Sequence, residues 1–79
     1  MFAQRLSPDD VRSRLDVAFP GAQIDVVDLT GTQDHYHVTL VWSGFAGRGL
    51  LDQHRAVNAA LAEELKGPIH ALKLTTRAA

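Results

Sequence analysis

The sequence predicts a single α+β domain over residues 1–79, ordered α-β-β-α-β, with helices packed on one face of a three-stranded sheet. Three observations carry this. Ser7-Pro8-Asp9-Asp10 opens a segment with apolar residues at helical spacing. Residues 35–42 alternate strictly between two faces, as a half-buried strand does. A second helical period over residues 50–65 is closed by Gly67-Pro68, and a short apolar run follows. A chain of 79 residues has room for one core and no second domain.

In the first helix Ser7 suits the N-cap, because its hydroxyl can accept from a free backbone N–H. Pro8 suits the first helical position, where a missing N–H costs nothing. Asp9 and Asp10 place negative charge at the positive end of the helix dipole. Val11, Leu15, Ala18 and Phe19 form the expected apolar stripe, and Pro20-Gly21 ends the helix. Residues 22–29, with Ile24, Val26 and Val27, read as a strand. Thr30 to Asp34 is a polar turn, so this strand and the next form an antiparallel hairpin. In the second strand Tyr36, Val38, Leu40 and Trp42 should face the core, and His35, His37, Thr39 and Val41 should face away. Gly44, Gly47 and Gly49 mark the loop that follows. The second helix is expected over 50–65, with Leu50, Leu51, His54, Val57, Leu61 and Leu65 on its apolar stripe. Residues 69–76 form the last strand, with His70 at its start.

Composition narrows function. The chain is 46% hydrophobic and 22% charged, as expected of a domain with a packed core. Its net charge of −1 carries no domain-wide basic field. With no cysteine, disulfide scaffolds, thiolate zinc sites and cysteine nucleophiles are excluded. No apolar stretch approaches the ~18 residues of a membrane span, and Met1 to Leu6 lacks a signal-type run. A soluble cytoplasmic protein with no membrane partner is therefore expected. No nucleophile–base motif, carboxylate pair or phosphate-binding glycine loop is present, so no enzymatic activity is expected.

The feature that asks for an explanation is four histidines in a chain without cysteine. His35 and His37 share one face of a strand, His54 lies in a helix, and His70 lies at a junction far along the chain. Imidazoles that converge can hold zinc, copper or iron. Their spacing matches no metal motif, so ordinary surface histidines remain the alternative. His54, on the apolar stripe, reads as a half-buried structural residue.

Three stretches together resemble the BolA family. They are Phe45-Ala46-Gly47-Arg48, the helix Leu50-Leu51-Asp52-Gln53-His54-Arg55-Ala56-Val57-Asn58 running on to Leu65, and Ile69-His70-Ala71-Leu72. Pro20-Gly21 and Asp28-Leu29 match as well, so the resemblance covers nearly the whole chain. It implies a class II KH-like fold with a short helical turn before the last strand. It also implies a partner, a monothiol glutaredoxin, with which the chain shares a [2Fe–2S] cluster together with glutathione, in cluster trafficking or in iron and redox sensing. His70 is the ligand the resemblance implies first, and His35 the second, which places the chain in the family's histidine subgroup. His37 stands as a substitute for His35. A chain without thiolate can supply only part of such a site, and no cluster is expected to stay tightly bound to it alone. Imidazole in place of thiolate leaves a cluster less negative and raises its potential. A homodimer of the free chain is the alternative assembly.

The KH-like fold brings a rival reading, a DNA-binding transcriptional regulator. Gly44-Phe45-Ala46-Gly47 has the GxxG form that clamps nucleic-acid backbone in KH domains. Residues 1–43 carry three basic and six acidic groups, and residues 44–79 carry five basic and three acidic groups. Gly44, Gly47, Arg48, Arg55 and Lys73 are the candidate nucleic-acid residues. Gln53 stands where the family often has a basic residue, which lowers the charge of that surface.

Overall fold

A computed structural model describes residues 6–79; Met1 to Arg5, part of the stretch searched for a signal run, lie outside it. Helix α1 spans Pro8–Ala18, strand β1 Gln23–Asp28 and strand β2 His35–Val41. A 3-10 turn over Ser43–Phe45 leads to helix α2, Leu50–Ala60. A short helix α3, Ala62–Leu65, precedes strand β3, Ala71–Arg77.

Helix α1 starts as its sequence dictates. The Ser7 hydroxyl accepts from the Asp10 N–H, and the Asp10 carboxylate accepts from the Ser7 N–H, each at 3.1 Å. This reciprocal box satisfies donors that a helix start leaves open. The buried row is Val11, Leu15 and Phe19. Ala18, expected on the same stripe, is exposed, because the contact follows the i, i+4 row and Ala18 lies off it.

The sheet order is β1-β2-β3. β1 and β2 pair antiparallel, with Val26 opposite Val38. β2 and β3 pair parallel, with His35 opposite Ala71 and Val41 opposite Arg77. Parallel neighbours need a crossover, which α2 and α3 supply. Along β2 burial alternates, with Tyr36, Val38 and Leu40 fully buried beneath the helices. His35, His37, Thr39 and Val41 lie on the other, open face. Trp42 sits at the core edge as expected. Its indole N–H donates to the Pro20 carbonyl at 2.9 Å, and its ring meets Phe19 and Phe45 edge-on.

Two expectations for the second helix are corrected. The chain leaves helical geometry at Leu61, where φ is −108° and ψ 20°, so one long helix becomes α2 and α3. The short helix before the last strand is the one the family resemblance implies. Leu50 and Leu51 are 59% and 62% exposed, not part of the core stripe. The row facing the sheet is Gln53, Val57 and Leu61. Leu51 precedes Gln53 by two residues, about 200° around the helix, and so points away from it. Leu50 sits in the first turn, where the helix leaves the loop. Gln53 is buried because its side chain works on the loop, Nε2 donating to the Arg48 carbonyl at 3.0 Å.

Gly44 has a packing role. A Cβ there would stand 2.5–2.7 Å from the Trp42 ring. Gly44→Ala should therefore force the indole or the loop aside, and a melting experiment should show destabilisation of about 1–3 kcal/mol. Tyr36 gives a second expectation. Its hydroxyl donates to the Leu6 carbonyl. Burial, and then the charges of Asp28, Asp34 and Asp10, raise its pKa above 10.0. A raised pKa favours the protonated form in the folded state. Its contribution is thus fully present below about pH 10 and is lost as pH rises through the folded value. Alkaline titration of this single tyrosine should show a late tyrosinate transition coupled to unfolding, and Tyr36→Phe should remove that coupling.

Candidate metal-ligand site

The loop between β1 and β2 is organised by one side chain. Asp28 Oδ1 accepts from the backbone N–H groups of Thr30 and Gly31, and Oδ2 from that of Gln33, at 3.0–3.3 Å. Gly31 and Gln33 take positive φ, 76° and 60°. Hydroxyls continue the order, with Thr30 joined to Thr32 and Thr32 donating to the Asp34 carboxylate. The loop therefore delivers His35 to the start of β2 in a fixed frame.

His70 reaches the same place from the other end of the chain. The Asp34 main-chain carbonyl accepts from the N–H groups of both His70 and Ala71, at 2.7 and 3.1 Å. This fork docks the start of β3 beside the start of β2. The His35 and His70 ring centroids end 5.5 Å apart, tilted by 36°. A tetrahedral metal with nitrogen bonds of about 2.0–2.1 Å holds two imidazole centres roughly 5 Å apart, so the spacing suits a shared metal centre. The His35 side chain is 35% exposed, and His70 is exposed. The His35 Nδ1 lies 2.9 Å from Asp34 Oδ1. The hydrogen bonds from Thr32 and then from His35 hold the Asp34 carboxyl below its ordinary value of 3.8. Among the described residues no group of three or more His, Cys, Asp or Glu is placed to hold a metal ion. Two imidazoles fall short of a four-donor set, so a metal held here would need its remaining donors from elsewhere.

The other candidates are placed differently. His37 shares the open face with His35, but its Nε2 lies 2.9 Å from the Thr75 hydroxyl. His54 is half-buried in α2, as expected, and its Nε2 is buried without a hydrogen-bond partner among the described residues. Of the nucleic-acid candidates, Gly44 lies beneath Trp42, and Gly47 takes φ +78° in the loop. Phe45, between them, is fully buried. Arg48 and Arg55 are exposed on the loop and helix side, whereas Lys73 pairs with His37 across the open sheet face. The structure thus gathers His35 with His70 and spreads the basic residues over both layers. Sequence reasoning gave no site role to Asp28, Asp34 or Thr75; Asp34 directly precedes His35, whereas Asp28 acts through the turn it caps and Thr75 meets His37 only through strand pairing.

Comparison with known proteins agrees with this architecture. The family model described as BolA-like protein matches residues 13–79. The chain belongs to the BolA family. A BolA-family relative, an uncharacterised protein of Rickettsia prowazekii, is 34% identical over 71 residues, covering 90% of this chain and 92% of that protein. The DNA-binding transcriptional regulator BolA of Escherichia coli is 36% identical over 73 residues, covering 84% of this chain and 70% of the relative. Human BolA-like protein 1 is 51% identical over 47 residues, 60% of this chain but only 34% of the human protein. Among solved structures, a BolA-like protein from Babesia bovis superposes with a TM-score of 0.82 at 30% identity, covering 95% of this chain and 87% of that one. BolA1 from Arabidopsis thaliana gives 0.81 at 27% identity, covering 90% and 89%. The α-β-β-α-β order with its three-stranded sheet is the family's fold. No described helix is long and apolar enough to cross a membrane.

If Asp28 holds the frame, Asp28→Ala should cost roughly 1–3 kcal/mol. Hydrogen exchange should quicken at Thr30, Gly31 and Gln33, and nuclear Overhauser contacts between the His35 and His70 rings should weaken.

Proposed function

We propose that this BolA-family chain is the histidine-donating partner of a monothiol glutaredoxin, sharing a [2Fe–2S] cluster with it and with glutathione. The observation that carries the reading is the pair His35–His70, two imidazoles from distant parts of the chain at 5.5 Å. Without cysteine, this chain offers only nitrogen donors toward a cluster, and thiolates would come from the partner and glutathione. The donor set fits that division, as histidine replaces cysteine on one iron of Rieske centres. Bound, the cluster would supply redox and transfer chemistry; this chain would supply two oriented ligands and the surface around them. The role is that of a binding partner in trafficking or sensing, without catalysis of its own.

Mixing the chain with cluster-loaded monothiol glutaredoxin and glutathione, and following visible circular dichroism, tests this. A new spectrum should appear with the wild type, be lost with His70→Ala and be altered with His35→Ala. An unchanged spectrum, with no complex on gel filtration, would sink the reading.

DNA binding is the second reading, supported by the name of the Escherichia coli relative and by Lys73 and Arg77 on the same open face of β3. With basic residues spread over two layers, the expected affinity is low and steeply salt-dependent.

A further inference from the structure

We infer that Asp34 is a positioning residue for the site, orienting His35 so that Nε2 is the atom it offers to a metal. The inference rests on the shared-cluster reading for its purpose, but its geometry stands on the free chain. Asp34 contacts both histidines by different groups. Its carboxylate Oδ1 lies 2.9 Å from His35 Nδ1, and its main-chain carbonyl receives the N–H of His70 at 2.7 Å. An ionised carboxylate only accepts hydrogen bonds. Nδ1 must therefore carry the proton of that bond, and in the neutral ring the free lone pair is left on Nε2. The Thr32 hydroxyl donates to the same carboxylate oxygen. Thr30 in turn reaches Thr32, so the carboxylate is held at the end of a hydroxyl chain rather than swinging free. Metal-bound histidines usually have their second ring nitrogen fixed in this way by a carboxylate or carbonyl. Here the orienting bond is present before any metal arrives.

The arrangement separates Asp34 from a merely structural loop residue. Removing the carboxylate leaves the carbonyl fork to His70 and Ala71 in place. The effect should therefore fall on His35 ring chemistry and not on the docking of β3.

The test uses the free protein labelled with nitrogen-15, whose long-range correlations report which ring nitrogen is protonated in neutral His35. The wild type should be protonated at Nδ1. Asp34→Ala should shift the population toward the Nε2-protonated form, with the His70 and Ala71 amides still protected from exchange. Asp34→Asn, which keeps an acceptor oxygen, should restore part of the wild-type pattern. A wild-type His35 protonated at Nε2, or a tautomer indifferent to Asp34→Ala, would overturn the inference. In the second arm each variant is titrated with cluster-loaded glutaredoxin and glutathione. Asp34→Ala should weaken formation of the shared species by roughly 10–100-fold, the range for loss of an orienting partner. Wild-type affinity in Asp34→Ala, despite an altered tautomer, would also overturn the positioning role. A wild type that forms no complex while showing the predicted tautomer would remove the glutaredoxin reading and leave the orientation of His35 by Asp34 established.

Discussion

The fork at the Asp34 carbonyl is the contact on which the rest of the site depends. Two backbone N–H groups, from His70 and Ala71, converge on one oxygen where the β1–β2 loop enters β2. The bond fixes where β3 begins, and the parallel register follows from it residue by residue. A parallel neighbour must arrive by a long crossover, so its starting point is not set by a tight turn as a hairpin's is. Here the fixed point comes from a loop that Asp28 has already ordered. Local turn chemistry thereby determines a contact between residues thirty-five positions apart in the chain.

Much of the scaffold was legible because its signals are local. Ser7 and Asp10 sit at capping distance in the chain, and the alternation from His35 to Trp42 sorts side chains without reference to anything else. The rest depended on partners that no window of sequence contains. Leu50 and Leu51 satisfy a helical pattern, yet the face of α2 that meets the sheet is chosen by where the loop delivers the helix. Gln53, a polar residue, takes a buried place because a loop carbonyl waits for it. The break at Leu61 belongs to the same class. No glycine or proline marks it, since the first such pair comes only at Gly67-Pro68. In the site, resemblance to a family named His70 and His35, and spacing alone could not. Their approach is a product of strand order, whereas Asp34 owes its role to bonds made at once by its side chain and its backbone.

The topology also divides the molecule's surfaces. β2 runs for seven residues, about 20 Å, between the His35 end and the Trp42 end. The Gly44–Gly49 loop leaves at the Trp42 end, and β3 starts at the His35 end. The glycine loop and the start of β3 therefore lie at opposite ends of β2. The crossover through α2 and α3 carries the chain back from one end to the other.

The lone tryptophan sharpens that division into something an optical instrument sees. Trp42 is clamped among Phe19, Phe45 and the Pro20 carbonyl, over a position where only glycine leaves room. The intrinsic emission of this protein is thus a reporter planted at one pole of the sheet. It registers loosening of the aromatic clamp directly, while a rearrangement of the imidazoles at the opposite pole reaches it only along the strands, through β2 or through β3, whose Arg77 carbonyl accepts from the Trp42 N–H.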